Sequence, residues 1–197
     1  MNDQSPRYLS TDERKRAIAV AARALIVEKG IDALRTREVA ARVGINIATL
    51  HYHVPSKDAL LHLVVDSMIA QFIEQGMNNP REGLDPLECL KLEIAEYKDT
   101  MLNNPDLLQL MDDMGKRARV DEQLEIRMRE MKKRWHRSFV DVLVDGKSSG
   151  VFRSDLDPVA AAHMITGALI AFQYKPKHLL PLFDSVASEI VKSVSAR

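Results

Sequence analysis

Residues 36–57 read T-R-E-V-A-A-R-V-G-I-N-I-A-T-L-H-Y-H-V-P-S-K and divide into two short helical runs about a glycine. Thr36 is placed to cap a run in which Val39, Ala40 and Val43 share one face at helical spacing. Gly44 follows at once, where a helix ending in a left-handed residue wants glycine. Ile45 plugs the corner, and Asn46 caps a second run, Ile47–His53. Pro55 stops that run, and Ser56 caps a third helix. Two short helices around a three-residue turn containing glycine predict a helix-turn-helix over 36–54.

The second helix of this pair has few apolar anchors. Only Leu50 and Val54 are obliged to face inward, which leaves Ile47, Ala48, Thr49, His51 and Tyr52 for the outside. Ile, His and Tyr on a surface suit a helix that reads another molecule. The plainer alternative is a short helix packed on both sides in an all-α protein.

With these residues in view, Gly44–Lys57 resembles the DNA-binding signature of the tetracycline-repressor (TetR) family. The likeness begins near Arg14 and is specific through about Leu63. Beyond that point it rests on helix count, spacing and the segment G-V-F-R-S-D-L-D-P at 150–158. Some positions depart from the family's usual wording. His51 stands where Tyr is common, His53 and Val54 where Tyr and Phe are, and Ile47 where Lys is.

Composition agrees. The chain has 197 residues, enough for a small head and a larger body, and no alternating strand pattern, so the fold is expected to be all-α with about nine helices. No apolar run approaches the ~18 residues of a membrane span and none opens the chain as a signal peptide. The expectation is a soluble, cytoplasmic protein that does not enter membranes. One cysteine, Cys89, cannot form an internal disulfide and is read as a small buried residue. Residues 1–57 hold ten basic and six acidic residues, the remainder 18 and 22. A basic head on an acidic body suits a phosphate-binding module joined to something else.

The organisation follows from this. Residues 1–57 are expected to be the DNA-binding domain, with a first helix at 11–29, and residues 58–197 the ligand-binding and dimerisation domain. Ser10 or Thr11 caps the first helix, whose basic residues Arg14, Lys15, Arg16 and Arg23 lie mostly on its outer face. The next helix, 58–76, is apolar on more than one side and so links head and body. Five further helices are expected: from Pro86, over Asp106–Met114, from near Asp121, over Pro158–Tyr174 and from about Leu180. Gly146–Asp157 reads as the loop between the third and fourth of these.

By position in the motif, the resemblance implies roles in DNA binding. Thr36 and Asn46 cap helices whose N-termini face phosphates. Arg37 reaches a base edge, while Ile47 and Ala48 meet thymine methyls. Thr49, His51 and Tyr52 bind backbone oxygens, and Lys57 takes a phosphate. For the body, the resemblance implies a small-molecule effector in a cavity, with Tyr97, Met101, Met111, Met114, Met128, Met131, Trp135 and His163 as its lining. A Met and aromatic stripe at this spacing is also ordinary core. The helix from Pro158 is apolar nearly all round, so it should be buried on one side by its own fold and on the other by a second subunit. Ala161, Ile165, Ala168, Leu169 and Phe172, with Phe183, Val186 and Ile190 of the last helix, are the expected homodimer interface.

Other function classes find little support. No phosphate loop, nucleophile elbow or H-E-x-x-H motif is present, so no enzyme activity and no cofactor are expected. His51, His53 and His62 lack metal-ligand spacing, and no metal site is expected. The expected function is a homodimeric, ligand-released repressor on a palindromic operator. The competing reading is a constitutive or architectural DNA-binding protein, which a body without a ligand cavity would favour.

Overall fold

The computed structural model describes residues 10–78 and 81–196. Among them run nine α-helices: α1 (Thr11–Lys29), α2 (Thr36–Val43), α3 (Ile47–His53), α4 (Lys57–Asn78), α5 (Pro86–Asn103), α6 (Pro105–Arg117), α7 (Glu122–Ser148), α8 (Pro158–Phe172) and α9 (Leu182–Val194). Short 3-10 turns occupy 118–120 and 177–179. The all-α expectation holds.

Local chemistry sets the starts of these helices. Ser10 accepts from the Glu13 amide while the Glu13 side chain accepts from the Ser10 amide, a reciprocal capping box that opens α1. Asp85 and Glu88 repeat the device at α5, with Pro86 in its first turn. The Asp157 carboxylate accepts from the amides of Val159 and Ala160 at α8. Ser56 Oγ accepts from the Ala59 amide at 3.0 Å, as its position before α4 predicts.

Three readings need correction. Thr36 does not cap α2; it is already the first helical residue. The chain leaves the preceding turn extended at Arg35 (φ −125°, ψ 131°), and no side chain caps this helix. Arg23 is not on an outer face. It is half-buried and donates to Gln71 Oε1 of α4 at 2.8 Å. Gly146 belongs to α7 rather than to the following loop.

The reason for glycine at 146 is contact. A Cβ there would overlap the Phe152 ring at Cδ2, and Phe152 is 1% exposed, so the ring has nowhere to retreat. Alanine in a helix normally gains about 1 kcal/mol over glycine. Here overpacking, at about 1–3 kcal/mol, outweighs that gain. Gly146→Ala is therefore expected to lower the melting temperature; a variant as stable as the parent would contradict the packing.

Packing divides the chain into two compact units: residues up to Met77 with Gln109–Met128, and Asn78–Leu108 with Arg129 onward. The functional division expected at residue 57 is thus not the packing division. In the first unit Ile18, Ala22, Leu25, Ile26, Leu34, Val39, Leu50 and Val54 form the core of the three-helix head. Leu60, Leu61, Val64, Val65 and Met68 of α4 are buried as well. In the second unit α9 packs on α5 and α8. Its end is stitched to the α7–α8 loop, where Phe152 and Ser195 form an antiparallel bridge.

Candidate nucleic-acid interface

The turn between α2 and α3 is built by Gly44, which adopts the left-handed conformation (φ 73°, ψ 32°). The Ile45 amide then donates to the Ala40 carbonyl at 3.0 Å, closing the corner. Asn46 Oδ1 accepts from the Thr49 amide at 2.7 Å, so Asn46 caps α3 as its position predicts.

Leu50 of α3 and Val54, the residue that follows the helix, are fully buried. Ala48, His51 and Tyr52 are exposed, with Ile47 and Thr49 half-exposed. Tyr52 is 84% exposed, far more than a ring seeking the core would be. The helix therefore offers one continuous outward strip of Ile47, Ala48, His51 and Tyr52, at positions i, i+1, i+4 and i+5.

The basic groups of the head fall into two sets. Away from α3, charge is neutralised: Arg42 makes a two-pronged bond to Glu28 (2.6 and 2.9 Å), and Lys29 Nζ lies 3.0 Å from Glu38. The Arg42 pair holds the Glu28 carboxyl below its ordinary range. At the start of α2, Arg37 is exposed and has no hydrogen-bond or ion-pair partner among the described residues. Nearby, the Asp32 carbonyl receives both Arg35 Nη1 (2.7 Å) and Lys57 Nζ (3.1 Å). Two cationic groups thus converge on one exposed carbonyl. Lys57 is legible in the motif and Arg35 is not, although its position in R-T-R, directly before the helix, is a signal for it.

The eight residues expected to line an effector cavity are divided between the units. Met114 and Met128 are buried and Met111 half-buried in the first unit; Tyr97, Met101 and Met131 are buried in the second, with Trp135 half-buried. Tyr97 and Trp135 stack, ring centroids 5.5 Å apart. The Tyr97 hydroxyl is buried and has no hydrogen-bond partner among the described residues. Burial, with Tyr174 adding to it, pushes its pKa up. His163 departs from the expectation. It is exposed on α8 and stacks on His136, ring centroids 4.0 Å apart. Burial first, and then His163, holds the His136 pKa below the ordinary imidazole value.

One polar residue of α5 escaped the sequence reading. Glu93 is 5% exposed, and Arg81 Nη2 donates to it at 2.7 Å and to Glu96 at 2.9 Å. Burial raises its pKa despite Arg81. A separate groove of about 550 Å³ between α5 and α9 is lined by Lys91, Ile94, Lys98, Phe183, Ala187 and Val191 among others. None of the eight expected effector residues lines it, although Tyr97 and Met101 share α5 with Lys91, Ile94 and Lys98.

The expected dimer residues also need revision. Ala161, Ile165, Leu169, Phe172 and Phe183 are buried within the chain's own fold, so they are core rather than free surface. Ala168, Val186 and Ile190 are half-exposed. The face of α8 turned outward is Ala160, His163, Met164, Gly167, Ile170 and Ala171, spaced by three and four. Periodicity showed that α8 was apolar all round and could not show which side its own fold would take.

A reading helix projecting from a three-helix head, joined to a helical body, defines a helix-turn-helix transcriptional regulator. The chain belongs to the TetR family. Residues 18–64 match the model for bacterial regulatory proteins of the tetR family, and 65–172 that for the YsiA-like protein C-terminal region. It is 33% identical to the transcriptional repressor KstR of Rhodococcus jostii over 101 residues, 50% of this chain and 46% of that protein. It is 29% identical to the repressor KstR2 of Mycobacterium tuberculosis over 154 residues, 74% of this chain and 72% of that one. A TetR transcription regulator from Haloarcula marismortui has the same fold, with a TM-score of 0.84 at 23% identity over 94% of this chain and all of that one. Membership of this family makes the protein a DNA-binding transcriptional regulator, and homodimers are typical of the family. No helix among the described residues is long and apolar enough to cross a membrane.

Proposed function

We propose that the chain acts in the cytoplasm as a homodimer, with the outward strip of α3 in the major groove of a palindromic operator. The observation that carries this is the pairing of an unpartnered Arg37 with a solvent-facing α3 strip on one head. Arg37 reads a base edge, Ile47 and Ala48 contact thymine methyls, and Thr49, His51 and Tyr52 bind backbone oxygens. The cations at the Asp32 carbonyl, Lys57 and Arg35, take a phosphate. One head offers few contacts, so two related by a two-fold axis are needed for tight specific binding. Sequence selection from random duplex DNA at near-physiological salt tests this. An inverted repeat is expected; folded protein that enriches nothing overturns the reading.

The effector we infer is largely apolar and carries at least one hydrogen-bonding group, which the buried Tyr97 hydroxyl receives. An orphaned buried hydroxyl costs stability until something bonds to it. KstR2 is a ketosteroid transcriptional regulator, and an apolar ligand with a polar end agrees with that precedent. Without ligand, Tyr97→Phe should hold or raise the melting temperature, because it removes an oxygen with no partner. A drop equivalent to more than about 1 kcal/mol would show that the hydroxyl is already satisfied. Trp135 is the sole tryptophan and stacks on Tyr97, so its fluorescence reports occupancy in a ligand screen.

A further inference from the structure

One face of α4 carries Asp58, His62 and Asp66, each one helical turn from the next, and each meets a group of opposite character. Arg117 Nη2, at the end of α6, lies 3.2 Å from Asp58 Oδ1. His62 Nε2 lies 3.2 Å from Asp121 Oδ2. Arg127 Nε, in α7, lies 3.1 Å from Asp66 Oδ1. All six residues belong to the first unit. Asp121 does double duty, since its Oδ1 also accepts from the Leu124 amide at 3.0 Å at the start of α7. Burial pushes the Asp121 carboxyl up, but the Leu124 amide, His62 and Arg117 outweigh it and hold it below the ordinary carboxylate value.

The outer two rungs are open to water, with Asp58 59% and Asp66 53% exposed, so neither contributes much to stability. Their value lies in the order of signs. Along α4 the groups run acid, imidazole, acid, and along the facing segment base, acid, base. Sliding α4 by one turn in one direction brings Asp58 onto Asp121. Sliding it in the other brings Asp66 onto the same carboxylate. Either slip sets like charges together at the half-buried centre of the row, where water screens them least.

We propose that this ladder is a register key: it forbids axial sliding of α4 and makes these side chains positioning residues for the DNA-binding head. The first turn of α4 begins at Lys57, directly after the reading helix, so the register of α4 sets where α3 and Lys57 stand. Swinging about the ladder stays open to α4, and a screw-like displacement does not. The inference rests on the regulator reading above, and it concerns side chains to which that reading gives no DNA contact.

The test uses the Asp66–Arg127 rung, which is remote from the reading helix. Full-length Asp66→Arg, Arg127→Asp and the combined swap are compared with the parent on the selected operator duplex, and by thermal unfolding. Networks of this kind change coupling by factors of about two to about thirty. Each single reversal is expected to weaken operator binding by about fivefold or more, and the swap to restore it to within about twofold of the parent. Singles that bind as the parent does, or a swap as weak as the two losses combined, overturn the key. If a single reversal fails to fold, Asp66→Asn is the replacement, with a smaller loss in the same direction expected and parental binding counting against the key. Should the parent select no operator, the regulator reading fails by itself. The thermal cycle then decides the ladder: non-additive losses support it and additive losses refute it.

Discussion

Met164→Asp is expected to yield a folded monomer that has lost tight operator binding. Met164 is 75% exposed on the outward face of α8, beside His163 and Gly167, so the substitution disturbs nothing inside the chain. Gly167 meets no atom within 4 Å of an added Cβ, which leaves room for another helix to approach closely. In a two-fold interface the same residue enters from both sides. An unpaired carboxylate buried there costs about 3–5 kcal/mol, which is about two to four orders of magnitude in dissociation constant. Sedimentation should show half the parental mass, and operator binding should fall with it. Leu169→Asp is the contrasting control. Leu169 is 1% exposed in the chain's own core, so that variant should lose its fold instead. A Met164→Asp protein that sediments as the parent does places the interface on another face.

The two substitutions also show where sequence reading succeeds and where it stops. The head was legible because its signals are local. Gly44 turns the chain, Asn46 caps α3, and the period of the apolar residues leaves only Leu50 and Val54 to go inward. Caps with more than one candidate were less secure. Thr36 and Arg35 are adjacent, and which of them opens α2 depends on how the preceding turn delivers the chain. Facing was the least legible property of the body. On α8 every position but His163 and Thr166 is apolar or small, so hydropathy alone does not tell Leu169 from Met164; the fold buries the first and exposes the second. From sequence alone Gly146 reads as a loop residue, because glycine so often follows a helix's last turn. Its true cause, the Phe152 ring, comes from a residue the turn carries back onto α7. The α4 ladder needed the third dimension entirely, because its partners lie about sixty positions away.

Arg37→Ala is expected to remove about 1–3 kcal/mol of specific operator binding while leaving the fold and the dimer untouched. The argument is one of elimination among the cations near α2. Arg42 is tied to Glu28, Lys29 to Glu38, and Arg35 to the carbonyls of Asp32 and Leu34. Arg37 alone of this group is exposed with no partner among the described residues, so its removal breaks no hydrogen bond or ion pair among them. A guanidinium free in this way suits the two-pronged acceptor pattern of guanine in the major groove, where it discriminates bases. If it meets a phosphate instead, the loss is equal on specific and non-specific DNA, and the salt slope falls by about one. Titrating both duplexes at several salt concentrations separates these. Lys57→Ala serves as the phosphate-type reference, since its ammonium already sits beside Arg35 on one carbonyl and carries no base-reading geometry. Sequence preference retained by Arg37→Ala would move base recognition from the start of α2 to α3 itself, and Ala48 and Tyr52 would be the next residues to change.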